Sequence, residues 1–531
     1  MKPFSASSPI GLMAVAFVFT FAIHSPASFA APDSFEDYRL QQQQGAQKIK
    51  AEFQEYKENQ DREFSNFLKS QWSEFETFQG KVRIKEPKPK QIPVVVPAAQ
   101  PAPSKPIPVP VPVVPKAVPD AKAKPAPITP APQPVITPPV IAPVVIAPVI
   151  APPPPPQPEP VPVAADMLEL SFYGNTVSFH FDPKWKKYRL PNGDKPEAMS
   201  AFWTMMSGSN YGPAIESVNA ARRELKLDDW GSVALWRNVV QALQPERKAE
   251  QNLLLWYFLV KSGYNVRLGY AGSDVHLFVA VKQQVFSTKF TKVGQQTYYA
   301  VLAADHGDSI GSFYTYEASY PVKLNPLDIA SASTGFTKPV TAQRAVSFAY
   351  KGETIKLNVP YDRQLVQYLG SFPQSEFEIY FDTNGSQLVR QSLLAELKKY
   401  TATMSEEEAI NFLLTFVQKA FAYKTDEEQF GYEKYFFVEE LFFFPYSDCE
   451  DRAVLFAWLA HELTGVKMVG LLYPGHMTTG VALKQVKPGF STVDYKGSRF
   501  VIADPTYIGA SVGMAMPFYA KLKPTRVVEI Q

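Results

Sequence analysis

The chain has 531 residues, 53 Lys plus Arg against 51 Asp plus Glu, and a single Cys. At ~100–200 residues per domain, the length leaves room for about three domains, and the near-neutral charge gives no whole-chain case for nucleic-acid binding. One Cys excludes an intrachain disulfide framework and any Cys-based zinc cluster, and 49 Pro against 27 Gly point to a large non-globular segment.

Lys2, an uncharged apolar run from Ile10 to Ile23, and Ser28-Phe29-Ala30 read as a secretory signal over residues 1–30, cleaved after Ala30. The run is short for a bilayer span, so no transmembrane segment is expected once the signal is removed. No Cys follows it, which excludes a lipoprotein anchor. An exported protein without disulfides has to rely on its core for stability. The expected location is the periplasm, with secretion or display at the cell surface as alternatives.

Residues 31–86 form a helical segment. Within it, 34–79 read as one amphipathic helix, because Phe53, Tyr56, Phe64, Phe67, Leu68, Trp72, Phe75 and Phe78 recur mostly at three- and four-residue steps. Such a stripe needs cover from a second copy in a coiled coil, from an envelope partner or from a domain. Residues 87–165 form a disordered Pro-rich linker; 29 of the 49 prolines lie in 87–162. Proline removes backbone donors, so neither helix nor sheet persists there. In polyproline II geometry, at ~3.1 Å per residue, this is a tether of roughly 200 Å when fully extended.

Residues 166–531 have globular composition and a repeated order of elements. Hairpins are expected at Leu168–Phe181, around Gly174-Asn175, and at Val346–Val359, around Gly352. Each precedes helical sequence and then an apolar helix with a Trp, at Trp256 and Trp458. Gly263 and Gly465 stop these helices. Strands follow, and His276 and Asp305 fall in the same order as His476 and Asp504. The pattern is a tandem duplication of one α+β unit, over 166–345 and 346–531.

The second copy carries Ser447-Asp448-Cys449-Glu450-Asp451 just before its apolar helix. Ser447 and Glu450 fit a capping box, which puts Cys449 in the first turn, where the helix dipole favours a thiolate. The three neighbouring carboxylates oppose it, so an imidazole partner is needed. His476 opens a strand after Pro474-Gly475, and Asp504 ends a later strand, where a carboxylate can hold the imidazole in one tautomer. His461, late in the helix, reads as a C-terminal helix charge.

Cys449-Glu450-Asp451 before a buried helix, His476 on a strand, and Asp504-Pro505-Thr506, with the lead-in Phe416–Tyr423 and Glu439-Glu440-Leu441, resemble the transglutaminase-like cysteine-enzyme superfamily over about residues 400–515. The resemblance implies a papain-like α+β fold, a helix packed on an antiparallel sheet, with Cys449, His476 and Asp504 as a triad. Ser447 stands where many members have Gly, and Met477-Thr478 replace a common Ala-Trp. The Cys449 backbone N–H leads the oxyanion candidates, followed by Gln418 and Tyr423. In the first copy Arg247 and Lys248 stand where Cys449 stands in the second, so 166–345 reads as a degenerate transglutaminase-like domain that keeps His276 and Asp305.

The expected function is exported cysteine hydrolysis of an amide or peptide bond in a cell-envelope protein or peptide, including cell-wall peptide. The alternatives are transglutaminase-type transfer to an amine, and a non-catalytic envelope scaffold or binding protein. No cofactor and no metal are expected, because no close cluster of His and carboxylates stands in the sequence; scattered acidic residues leave calcium open.

Overall fold

The computed structural model describes residues 35–69, 71–79, 93–95, 166–302, 310–316 and 319–530. The expected signal, nearly all of the Pro-rich linker and Asp305 lie outside them. Among the described residues, no helix is long and apolar enough to cross a membrane. The fold is mixed helix and antiparallel sheet, arranged as two similar units.

Helix α1 (Phe35–Leu68) is rich in Gln, Glu and Lys, which lose little rotamer freedom in a helix. It stops at Leu68 rather than running to residue 79. Trp72–Glu76 forms β1 and Phe78–Gln79 forms β2. The aromatic spacing continues past Leu68, but tertiary pairing decides the backbone. Here β1 and β2 occupy the two outer edges of the first unit's sheet. The end of α1 is covered by the chain itself. Phe64 and Leu68 are buried, Phe64 meets Trp203 edge to face at 4.7 Å, and Asp61 forms a buried ion pair with Lys261.

The first unit opens with the hairpin β3 (Met167–Phe172) and β4 (Asn175–His180). Its turn is Tyr173-Gly174, one residue earlier than the sequence suggests. Both residues have positive φ, the type I′ geometry that matches strand twist. A Cβ at Gly174 would sit 2.7 Å from the Lys338 carbonyl oxygen, so the turn admits no side chain there. The helices that matter to the sites are α2 (Lys195–Ser207), α3 (Asp229–Leu243) and α4 (Lys248–Lys261). They precede β5 (Val266–Ala271), β6 (Asp274–Ala280), β7 (Lys289–Val293), β8 (Gln296–Tyr299) and β9 (Ser312–Tyr316). The strand order across the sheet is β1-β9-β5-β6-β8-β7-β2.

The second unit starts with another type I′ hairpin, β10 (Thr341–Tyr350) and β11 (Glu353–Asp362), turning at Lys351-Gly352. Helix α5 (Glu406–Ala420), with a Ser405–Glu408 capping box, leads into the short strands β12 (Ala422–Tyr423) and β13 (Tyr446–Ser447). Then come α6 (Cys449–Thr464), β14 (Met468–Tyr473), β15 (His476–Val481), β16 (Thr492–Tyr495), β17 (Ser498–Ala503) and β18 (Arg526–Glu529). Their order is β16-β17-β15-β14-β18.

Without β1 and β2, the first sheet reads β9-β5-β6-β8-β7 and the second β18-β14-β15-β17-β16, the same topology. The match holds at the level of register. Trp256 and Trp458, Gly263 and Gly465, Val266 and Met468, Val279 and Val481, and Tyr299 and Val501 are all 202 positions apart. In both sheets the last three of these positions form the corresponding cross-strand pairs, Val266–Val279–Tyr299 in the first and Met468–Val481–Val501 in the second. Helices α4 and α6 lie on the hairpins that follow them. One apolar core runs from Phe64 to Val528 through both units. Polar contacts also cross between them; Tyr368 donates to Asp228 at 2.6 Å and Trp230 donates to Ser371 at 3.2 Å.

Candidate active site

Cys449 is the first residue of α6, as its sequence setting suggests. The cap lies one residue later than Ser447–Glu450: Asp448 is the N-cap, and its backbone N–H donates to Asp451 at 3.1 Å. Asp451 also accepts from the Phe436 backbone at 2.9 Å. Ser447 is instead drawn into β13, where Tyr423 of β12 is its parallel partner. That strand pairing explains the shift of the cap.

His476 and Asp504 meet. Strands β15 and β17 are antiparallel, with Thr479 opposite Ala503. The turn at Gly475 starts β15, and the strand end at Ala503 releases Asp504. His476 Nε2 lies 2.9 Å from Asp504 Oδ2. An ionised carboxylate only accepts, so Nε2 carries the proton and Nδ1 offers its lone pair. Asp504 Oδ1 accepts from the Thr506 and Tyr507 backbones at 2.9 and 3.2 Å, which fixes the carboxylate plane. His476 Nδ1 is buried and has no hydrogen-bond partner among the described residues. Tyr519 stacks on the imidazole at 5.0 Å; nothing in its sequence setting marks it.

Cys449, His476 and Asp504 are 1%, 1% and 2% exposed. Cys449 Sγ donates to Glu450 Oε2 at 3.1 Å, a contact that favours the neutral thiol. Arg452, one turn on, supplies a buried positive charge in this region. Burial pushes its guanidinium down to about 10, and the Cys449 sulfur is among the groups that push it back up. Its guanidinium lies over the Tyr423 ring at 5.3 Å.

The two side-chain oxyanion candidates are placed differently. Gln418 is buried on α5. Its amide nitrogen donates to the Asp504 and Ala510 carbonyls, both at 3.0 Å, and its oxygen accepts from Gly509 at 3.1 Å. Both N–H donors are used, so Gln418 positions the Asp504 loop and has none left for an oxyanion. Tyr423 is half-buried beside Ser447. His461 Nδ1 lies 3.3 Å from the Val466 carbonyl and so serves the end of α6.

A carboxylate cluster that the sequence did not announce lies against Cys449. Asp426, Asp448 and Glu450 each bring one buried carboxylate oxygen within 4.8 Å of the other two. Asp426 is more than twenty residues upstream, and the parallel β12–β13 contact carries it beside Asp448. Asp451 adjoins the group. Its carboxyl is pushed well above the usual range, first by burial and then by Asp448, Asp426 and Glu450. An all-oxygen, acidic donor set of this kind suits a hard divalent cation.

The register corrects the assignment in the first unit. With the 202-residue offset, Cys449 corresponds to Arg247, His476 to Asp274 and Asp504 to Leu302. His276 therefore matches Thr478, two residues along the strand and on the same face as Asp274, and is not the counterpart of His476. The near-equal spacings from His276 to Asp305 and from His476 to Asp504 misled; the two hairpin turns are in the same register, with Ala271 opposite Asp274 and Tyr473 opposite His476, so His276 lies two residues further along its strand. The first unit retains none of the three groups. No protein-family model, curated protein or solved structure matches this chain.

Proposed function

We propose that the second unit is a cysteine hydrolase of amide bonds, resembling the transglutaminase-like enzymes in its residue set. The observation that carries this reading is the His476–Asp504 pair. Asp504 occupies Nε2 and leaves Nδ1 as the one unsatisfied ring nitrogen, on a strand packed beneath the helix that begins with Cys449.

In the reaction the Cys449 thiol proton passes to His476 Nδ1, and the thiolate attacks the substrate carbonyl carbon. The oxyanion takes the Cys449 backbone N–H in the first turn of α6. His476 Nδ1–H then protonates the leaving amine as the C–N bond breaks, which leaves a thioester on Cys449. Water attacks the thioester and gives its proton to Nδ1, and the C–S bond breaks. The acid departs and the thiol regains its proton. Asp504 stabilises the imidazolium in both halves. If a primary amine attacks in place of water, the product is a new amide. Substrates of the expected class are envelope proteins or peptides, and the proposed location is the periplasm.

The burial of Cys449 and its bond to Glu450 favour a second reading, a non-catalytic binding unit in which the thiol is only a core residue. One experiment separates the two. Cys449 is the chain's single cysteine, so the pH dependence of alkylation reports on it alone. Catalysis predicts a thiol titrating well below the ~8.5 of free Cys, with the midpoint moving up in His476→Ala. A slow thiol indifferent to His476 supports the binding unit. Labelled amine incorporated into a protein substrate would identify transfer over hydrolysis.

A further inference from the structure

The first unit has lost the triad but not the opening above it. Where Cys449, His476 and Asp504 are buried in the second unit, the corresponding surface of the first lines a cavity of about 430 Å³. That is within the ~300–1,000 Å³ of small-ligand pockets. It is lined by the first turn of α4, by Asp274 and His276 of β6, and by Leu302, the position of Asp504 in the second unit.

Its chemistry is new relative to the second unit. Arg237 and Gln241 stand one turn apart on α3 and face the start of α4, where Lys248 takes the place of Glu450. Among the described residues, none of these three side chains forms a hydrogen bond or an ion pair, although Arg237 is largely buried. Its guanidinium is held below its ordinary range by burial. Arg247, the N-cap of α4, makes no side-chain cap, whereas in the second unit the Asp448–Asp451 box closes the same helix end. The first-turn N–H groups of α4 thus lack a side-chain acceptor and border the cavity. Asp274 is the one opposing charge on the described lining. Leu255, Leu277 and Leu302 supply an apolar wall. Residues 303–309, which join two lining positions, lie outside the described residues and are not part of the site.

We propose that this cavity binds a carboxylate of a peptide ligand, held by the Arg237 guanidinium, the Lys248 ammonium and the open first turn of α4. The planar guanidinium fork matches a carboxylate bidentately. Helix N–H groups and dipole favour the same charge. The leucine wall takes the aliphatic part of the residue that bears it. A ligand of this kind would anchor an acidic peptide to the first unit, whether or not Cys449 is a nucleophile. The assignment therefore goes beyond the hydrolase reading and does not depend on it.

The test is fluorescence anisotropy on the full mature chain. The probe is a labelled, acetylated hexapeptide of Ala, Leu and Glu with a free C-terminal carboxylate, compared with its C-terminal amide carrying Gln for Glu. The acid form is expected to bind at least about tenfold more tightly, with affinity falling as salt rises. Arg237→Gln and Lys248→Gln are each expected to weaken it about fivefold or more. Lys248 is exposed, so Lys248→Gln keeps the test decisive if Arg237→Gln fails to fold. Equal binding of the acid and amide forms, or full affinity in both variants, overturns the site. Tighter binding of an acidic polysaccharide such as polygalacturonate than of the peptide overturns the peptide assignment.

Discussion

Glu439 is 1% exposed, yet its carboxylate accepts from the Asp362 and Ser386 backbones and from the Ser386 hydroxyl. Burial outweighs these bonds and raises it from its ordinary 4.5 to about 7. Between those values the folded chain holds a proton that the unfolded chain has released. Stability therefore falls as pH rises through this window, and the loss is complete above about 7, at roughly 3 kcal/mol. Asp228, raised to about 6 by burial, acts in the same sense. The melting temperature should thus be higher at pH 5 than at pH 8, and Glu439→Gln should shrink that difference. An unchanged pH slope in the variant would contradict the assignment. The same scale separates Gln418 from the triad. All of its amide hydrogens are spent on the loop that presents Asp504, so it acts on the site through that loop.

At the scale of elements, the start of α6 is the joint of the second unit. Asp451 ties the helix to Phe436 and closes the turn at Asp448 through two buried N–H groups. Asp451→Ala leaves both without an acceptor. At about 1–3 kcal/mol for each stranded group, less the relief of a buried carboxylate, the expected loss is about 2–4 kcal/mol. Asp451→Asn keeps the shape and one acceptor and should lose less. Denaturant unfolding reads both; an Ala variant within error of the parent would show that the box does not hold the helix. The aromatic blocks at Tyr435–Phe437 and Phe442–Phe444 belong to this joint. Phe437 and Phe442 are 1% exposed, and Phe436 stacks on Phe444 at 4.7 Å. Tyr435–Phe437 and Phe442 are core, Phe444 packs against them half-buried, and Phe443 is exposed.

At the scale of the whole molecule, the N-terminal segment completes the first unit. Strands β1 and β2 cover β9 and β7, the two edges that would otherwise stand open, and α1 covers Trp203. Open edges template association between chains. A chain lacking residues 35–79 should therefore aggregate or elute as large species in size exclusion with light scattering. A monomeric, equally stable product would mean that the segment is only appended. In this structure the apolar stripe at the end of α1 finds its cover within its own chain.

The sequence by itself determined what depends on local chemistry. Glycine stops at Gly263 and Gly465, turn chemistry at Gly174 and Gly352, and the period of the apolar helices made the repeated unit legible. Cys449 at a helix start and the strands bearing His476 and Asp504 were legible for the same reason, since each is set by neighbours within a few residues. Tertiary structure decided whatever depends on distant strands. Pairing to β9 and β7 turned Trp72–Gln79 from helix to strand. The parallel contact of Tyr423 with Ser447 moved the cap of α6 to Asp448 and brought Asp426 to Glu450. Sheet register, not spacing, fixed which residues of the two units correspond, because a two-residue shift along a strand keeps the same face but changes which group meets the helix. That shift puts Asp274 and Leu302, rather than His276 and Asp305, in the places that His476 and Asp504 hold in the second unit.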